Sequence, residues 1–109
     1  MVGKTSMAYV YLLEEIPYSS NEIEHWTKIG CTKNPPEWRL NANLKRGNPR
    51  ELRLAAVYEF DSENAAYIAE AVAHNHFKES AHQKEWFRLS WEQVAEWAES
   101  EAGWRRRNP

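Results

Sequence analysis

The stretch from Trp26 to Arg39 constrains this chain more than any other: Trp-Thr-Lys-Ile-Gly-Cys-Thr-Lys-Asn-Pro-Pro-Glu-Trp-Arg. A β-prone run over residues 26–31 must give way to a helix within a few positions. Asn34 suits a helix N-cap, and Pro35 and Pro36 suit a first helical turn, where a missing N–H costs nothing. Three cations, Lys28, Lys33 and Arg39, fall in the same stretch. Gly30 admits a close approach to the backbone, and a helix N-terminus favours an anion. An ordinary strand-to-helix connection carries the same marks, so the stretch alone fixes local structure rather than chemistry.

The rest of the chain alternates around it. Residues 1–7 read as a disordered lead-in. Residues 8–13, Ala-Tyr-Val-Tyr-Leu-Leu, are apolar, aromatic and β-prone, and predict a buried strand. Residues 14–25 are acidic and hold Pro17, Ser19, Ser20 and Asn21, which predicts a long loop between two strands. The first helix is expected over 35–46, with Trp38, Leu40, Ala42 and Leu44 as apolar contacts and Arg39, Asn43 and Arg46 on a polar face. Gly47 stops it, Asn48-Pro49 turns, and 52–60 is a third strand.

Asp61 or Ser62 caps a second helix, over 63–78, on which Ile68, Ala69, Val72 and His76 form an apolar stripe. Glu70 sits at the edge of that stripe beside Ala66, Ala73, His74 and Phe77, so it faces a cleft or pairs at the rim. Residues 80–84 read as a loop and 85–89 as a short strand. Ser90 with Gln93 makes a capping box for a third helix, whose apolar face holds Val94, Trp97 and Ala98 and which ends at Gly103. The order ββαβα(β)α predicts an α/β (α+β) domain over 8–103, with a central, mainly antiparallel sheet of three or four strands flanked by helices. Residues 104–109 read as a basic tail.

A chain of 109 residues suits one domain. No apolar run approaches the ~20 residues that span a bilayer, so no membrane partner is expected. No basic-then-apolar leader opens the chain, and a cytoplasmic location is expected. The single cysteine, Cys31, cannot form an intramolecular disulfide or hold a structural zinc by itself. His74 and His76 stand at i, i+2 and share no helix face, which argues against a zinc site built from them with His82. The net charge of −2 argues against a strongly basic nucleic-acid binder. Its distribution is uneven: residues 28–53 carry seven cations against two acids, a net of +5, between flanks of −3 and −4. That is either a local basic footprint or a solvated charged face.

Taken together, the motifs resemble those of the GIY-YIG nuclease superfamily, and more closely its phage-type branch with Lys-Ile-Gly as second motif. Tyr9-Val10-Tyr11 stands where the first tripeptide lies and Lys28-Ile29-Gly30 where the second lies. Arg39 matches the arginine of the first helix. Gly47-Asn48-Pro49 before a strand resembles the turn this branch often has. Glu70, His74 and Phe77 match the helix that bears the family's metal-binding glutamate, and Glu85-Trp86-Phe87 the closing motif. Two positions depart from the pattern. Tyr9 replaces the first glycine, which concerns strand packing, and Lys28 replaces the second tyrosine, which removes one candidate base.

The resemblance implies metal-dependent hydrolysis of DNA phosphodiesters, with Mg2+ or Mn2+ held by Glu70. Tyr11 would be the base, its phenolate favoured by the Lys28 ammonium; Lys28 would otherwise act on the attacking water or the phosphate. Arg39 offers a planar fork for phosphate oxygens. Tyr9, Gly30 and His74 would support the site, with His74 orienting Glu70, touching phosphate, or resting as a core histidine. Lys33, Lys45, Arg46 and Arg50 would guide the backbone. RNA is not excluded as substrate, because phosphate contacts carry no base or sugar information. A homodimer or protein partner would supply sequence specificity. The alternatives are a weak or inactive module of the same fold that binds nucleic acid or a protein, and an interaction protein using Trp86, Trp91, Trp97 and Trp104.

Overall fold

Alternate residues of the first strand are buried on opposite sides, which makes it the middle of a sheet covered on both faces. In the computed structural model, residues 7–16, 26–39, 51–83 and 86–107 are described. Strand β1 (Ala8–Ile16) pairs antiparallel with β2 (Thr27–Thr32) on one side and β3 (Glu51–Phe60) on the other. Helix α1 (Pro36–Arg39) follows β2, and α2 (Glu63–His76) follows β3. A 3-10 turn (Lys78–Ser80) leads into β4 (Ala81–Gln83) and β5 (Trp86–Phe87). Helix α3 (Trp91–Ser100) and β6 (Arg105–Arg106) complete the order. The strands form one antiparallel sheet, β4-β5-β2-β1-β3-β6. The fold is α+β, as the element pattern predicts.

One face packs under α2 and α3: Val10, Leu12, Ile29, Ala56 and Tyr58 meet Ala66, Ala69, Ala73, Val94 and Ala98. The other carries a second apolar cluster of Tyr11, Leu13, Leu52 and Val57, with Tyr9, Leu54 and Trp86 packed against it. Below α2 and α3, Trp97 and Trp104 meet edge-on at 5.5 Å, and Tyr58, Phe60 and Phe77 pack edge-on against them. Trp91 lies under the guanidinium groups of Arg53 and Arg106, at 5.9 and 5.4 Å. These three tryptophans are thus half-buried parts of the fold rather than a free surface.

Local signals place the helix starts. The Ser62 hydroxyl accepts from the Ala65 N–H at 3.0 Å. Ser90 and Gln93 form the expected reciprocal capping box. Gly103 takes a left-handed φ of 70°, and the Trp104 N–H returns to the Ala98 carbonyl at 2.8 Å. Helix α1 begins at Pro36, one residue later than expected, and the Asn34 N–H donates to the Thr32 hydroxyl at 3.1 Å.

Four expectations need correction. Among the described residues the sheet has six strands, not three or four, because stretches taken for a loop and a tail contribute β4 and β6 at its edges. Strands of two or three residues leave no periodic pattern to detect. β1 continues to Ile16 rather than stopping at Leu13, since its acidic end pairs with β3 and Glu14 accepts a hydrogen bond from Arg53. The second helix ends at His76 rather than 78, where the chain tightens into the 3-10 turn. Finally, the stripe of α2 is rotated. Ala66, Ala69 and Ala73 face the sheet, while Ile68 and Val72 are 52% and 50% exposed. A helix seated close to a sheet needs small residues at the contact, and that requirement outweighs hydrophobicity. The expected course of residues 40–50, 17–25 and 1–6 lies outside the described residues.

Candidate active site

Three of the candidate residues come together through strand register. Tyr11 stands directly opposite Gly30, and Lys28 opposite Leu13, in the β1–β2 ladder. Directly opposed residues of an antiparallel pair project on the same face, so Tyr11, Gly30 and Lys28 share one side of the sheet. Tyr9 lies two residues before Tyr11 on that face, with the Arg107 guanidinium 5.7 Å from its ring. Arg107 also pairs with Glu37 of α1. Burial pushes the Glu37 carboxyl up, but the hydrogen bond and charge of Arg107 outweigh it and hold the group below its usual range.

Gly30 has a packing role that its local sequence does not reveal. A Cβ built there would lie 2.5 Å from both Cζ and Oη of Tyr11. The Tyr11 ring occupies the space that a side chain at Gly30 would need. Tyr11 itself is 1% exposed and belongs to the apolar cluster of that face. Lys28 is half-buried beside it.

The edge of β2 is shared between a strand and a helix. β5 pairs only with its first residues, Thr27 with Phe87 and Lys28 with Trp86. At the next residue α2 takes over. His74 Nε2 lies 2.8 Å from the Ile29 carbonyl oxygen, so that nitrogen carries the proton and donates. The imidazole also rests edge-on against Phe87, with ring centroids 5.0 Å apart. The start of α2 borders the end of β2: Glu63 and Ala66 line a cavity of about 230 Å³ with Cys31, Thr32, Lys33 and Asn34. Helix and strand therefore run antiparallel. Glu70, between Ala66 and His74 on the same helix face, stands alongside the stretch around Gly30. It is half-buried. Tyr11 and Lys28 lie on the sheet face away from α2, so β2 stands between them and the helix that carries Glu70.

The remaining candidates divide. Lys33 is exposed in the turn between β2 and α1. Arg39 ends α1, but its side chain lies outside the described residues, as do Lys45, Arg46 and Arg50. His74, His76 and His82 go to separate neighbours: Ile29, Trp97 and Trp26. Among the described residues, no group of three or more His, Cys, Asp or Glu side chains is placed to hold a metal ion. A single carboxylate such as Glu70 fits only a hard ion that keeps most of its water, as magnesium does. Sequence reasoning missed two neighbours of the site, the Ile29 carbonyl that receives His74 and the cross-strand position of Trp86. Both depend on register, for which the sequence holds no local sign.

A protein-family model described as the T5orf172 domain matches residues 8–101. No curated protein and no solved structure matches the chain.

Proposed function

The chain belongs to the T5orf172 domain family, a phage-associated domain found in some nucleases, and on that premise we propose that it is a metal-dependent endonuclease of GIY-YIG type, with DNA as its first substrate. One observation carries most of the weight. A single strand, β2, sets Lys28 and Gly30 beside Tyr11 on one face and meets the Glu70 helix along its edge. A base, a cation for phosphate and a carboxylate for metal are what phosphodiester hydrolysis needs.

In this function Tyr11, held over Gly30, acts as its phenolate, takes the proton of the attacking water and becomes the neutral phenol. Lys28 sits against the phosphate or the incoming water, and Arg39 clamps a phosphate oxygen. Glu70 holds the ion, which when bound stabilises charge on the leaving oxygen. His74 fixes α2 to the strand and so sets where Glu70 stands. Lys33, Lys45, Arg46 and Arg50 guide the backbone, and a second copy or a protein partner adds sequence preference. Among the described residues no helix is long and apolar enough to cross a membrane.

A second reading has its own observation: Tyr11 is 1% exposed, which suits a packing residue better than a base. On that reading the domain binds nucleic acid without cutting it. The deciding experiment is nicking of supercoiled plasmid and of branched or single-stranded DNA by wild type and Glu70→Ala, with magnesium, manganese or chelator. Cleavage that needs metal and is lost in Glu70→Ala, with DNA binding retained, is the expected result. Salt-sensitive binding without any cleavage would replace the nuclease with the binding module.

A further inference from the structure

Trp86 is the cross-strand partner of Lys28, one strand further out on the sheet. Neighbouring strands lie about 4.8 Å apart, so its indole stands beside the lysine on the face that carries Tyr11. One side of the indole packs against the cluster of Tyr11, Leu13, Leu52 and Val57. The residue is nevertheless only half-buried. Four other tryptophans have contacts elsewhere: Trp26 on His82, Trp91 beneath two arginines, and Trp97 and Trp104 on each other. Among the described residues, Trp86 is the tryptophan set next to the candidate phosphate-binding lysine.

That pairing has a chemical consequence. A phosphate at Lys28 brings its own nucleotide within reach of an aromatic ring one strand away. In a duplex, each base is stacked between its neighbours and offers no free face. An unpaired base does, and stacking on an aromatic side chain is strong and tolerant of sequence. Building on the nuclease reading above, we propose that Trp86 is a base-stacking platform, and that the site takes nucleic acid with an unpaired nucleotide next to the phosphate at Lys28. Single-stranded, bulged or branched substrates meet that condition, and continuous duplex does not.

The test is binding by fluorescence anisotropy in chelator at fixed salt, so that no cleavage intervenes. The probes are a single-stranded oligonucleotide, the same oligonucleotide made abasic throughout, and a continuous duplex of equal length. The proteins are wild type, Trp86→Phe and Trp86→Leu. Wild type is expected to prefer the intact single strand to the abasic one by about 5- to 100-fold. Trp86→Leu should lose a similar factor on the intact single strand and nothing on the duplex or abasic probe, with Trp86→Phe in between. Equal affinity of wild type for intact and abasic strands would overturn the proposal, and that comparison needs no variant to fold. Equal loss on single strand and duplex in a folded Trp86→Leu would overturn it too. Metal-dependent cleavage of continuous duplex that ignores Trp86 would remove this inference and leave the nuclease standing. Absence of binding by wild type to every probe would remove both.

Discussion

The ring of Tyr11 lies across Gly30, its partner in the β1–β2 ladder, leaving no room for a side chain at that position. The glycine is required by space rather than by backbone angle, since among the described glycines only Gly103 has a positive φ. This one relationship couples the stability of the sheet to the position of the candidate base.

Gly30→Ala therefore has a defined outcome. The added methyl must displace the Tyr11 ring or spread the two strands, and overpacking of this kind costs about 1–3 kcal/mol. Urea unfolding of Gly30→Ala should show that loss, and cleavage should fall further than stability does. Tyr11→Leu should remove most of the penalty of the alanine. A double-mutant cycle reads the coupling directly, and additive effects would mean that the two residues do not meet.

His74 fastens α2 to the sheet through one hydrogen bond to Ile29 of β2, just past its pairing with β5, and one ring contact with Phe87 of β5. His74→Ala should cost about 1–3 kcal/mol, because the Ile29 carbonyl loses its donor. His74→Gln keeps an amide N–H at similar reach and should recover part of the stability. If Glu70 depends on that fastening, cleavage should follow the same order, wild type above Gln above Ala. A fully active His74→Ala would show that the helix holds its place by alanine packing alone.

Tyr58 gives a dependence on alkaline pH. Burial raises its hydroxyl well above the usual tyrosine range, and its hydrogen bond to Glu99, 2.7 Å long, raises it further. The folded value lies above the unfolded one of about 10, so the contribution is complete below pH ~10 and declines above it. Tyr58→Phe should cost about 1–2 kcal/mol at pH 7 through the lost hydrogen bond. It should also flatten the decline of stability between pH 10 and 11. Urea midpoints of both proteins at pH 7, 9 and 10.5 make the comparison, and parallel curves would contradict it.

Much of this was legible from the chain alone because it depends on near neighbours. The β-prone runs, the serine caps at 62 and 90 and the turn at Gly103 each act through residues a few positions away, and the structure has them close to where they were expected. The face of α2 was not legible. Ile68 and Val72 outrank alanine in hydrophobicity, yet they are exposed, and Ala66, Ala69 and Ala73 are the residues of α2 buried against the sheet.

The same division runs through the site. The sequence by itself determined which chemical groups are present and which elements carry them: a tyrosine on the first strand, a lysine and glycine on the second, a glutamate and histidine on the long helix. Tertiary structure alone decided that Tyr11 covers Gly30, that His74 caps the Ile29 carbonyl, and that Trp86 stands beside Lys28. Those relationships join residues 19, 45 and 58 positions apart. Caps and turns are set by bonds within a few residues, whereas register and close approach are settled only when distant surfaces pack and compete for the same space.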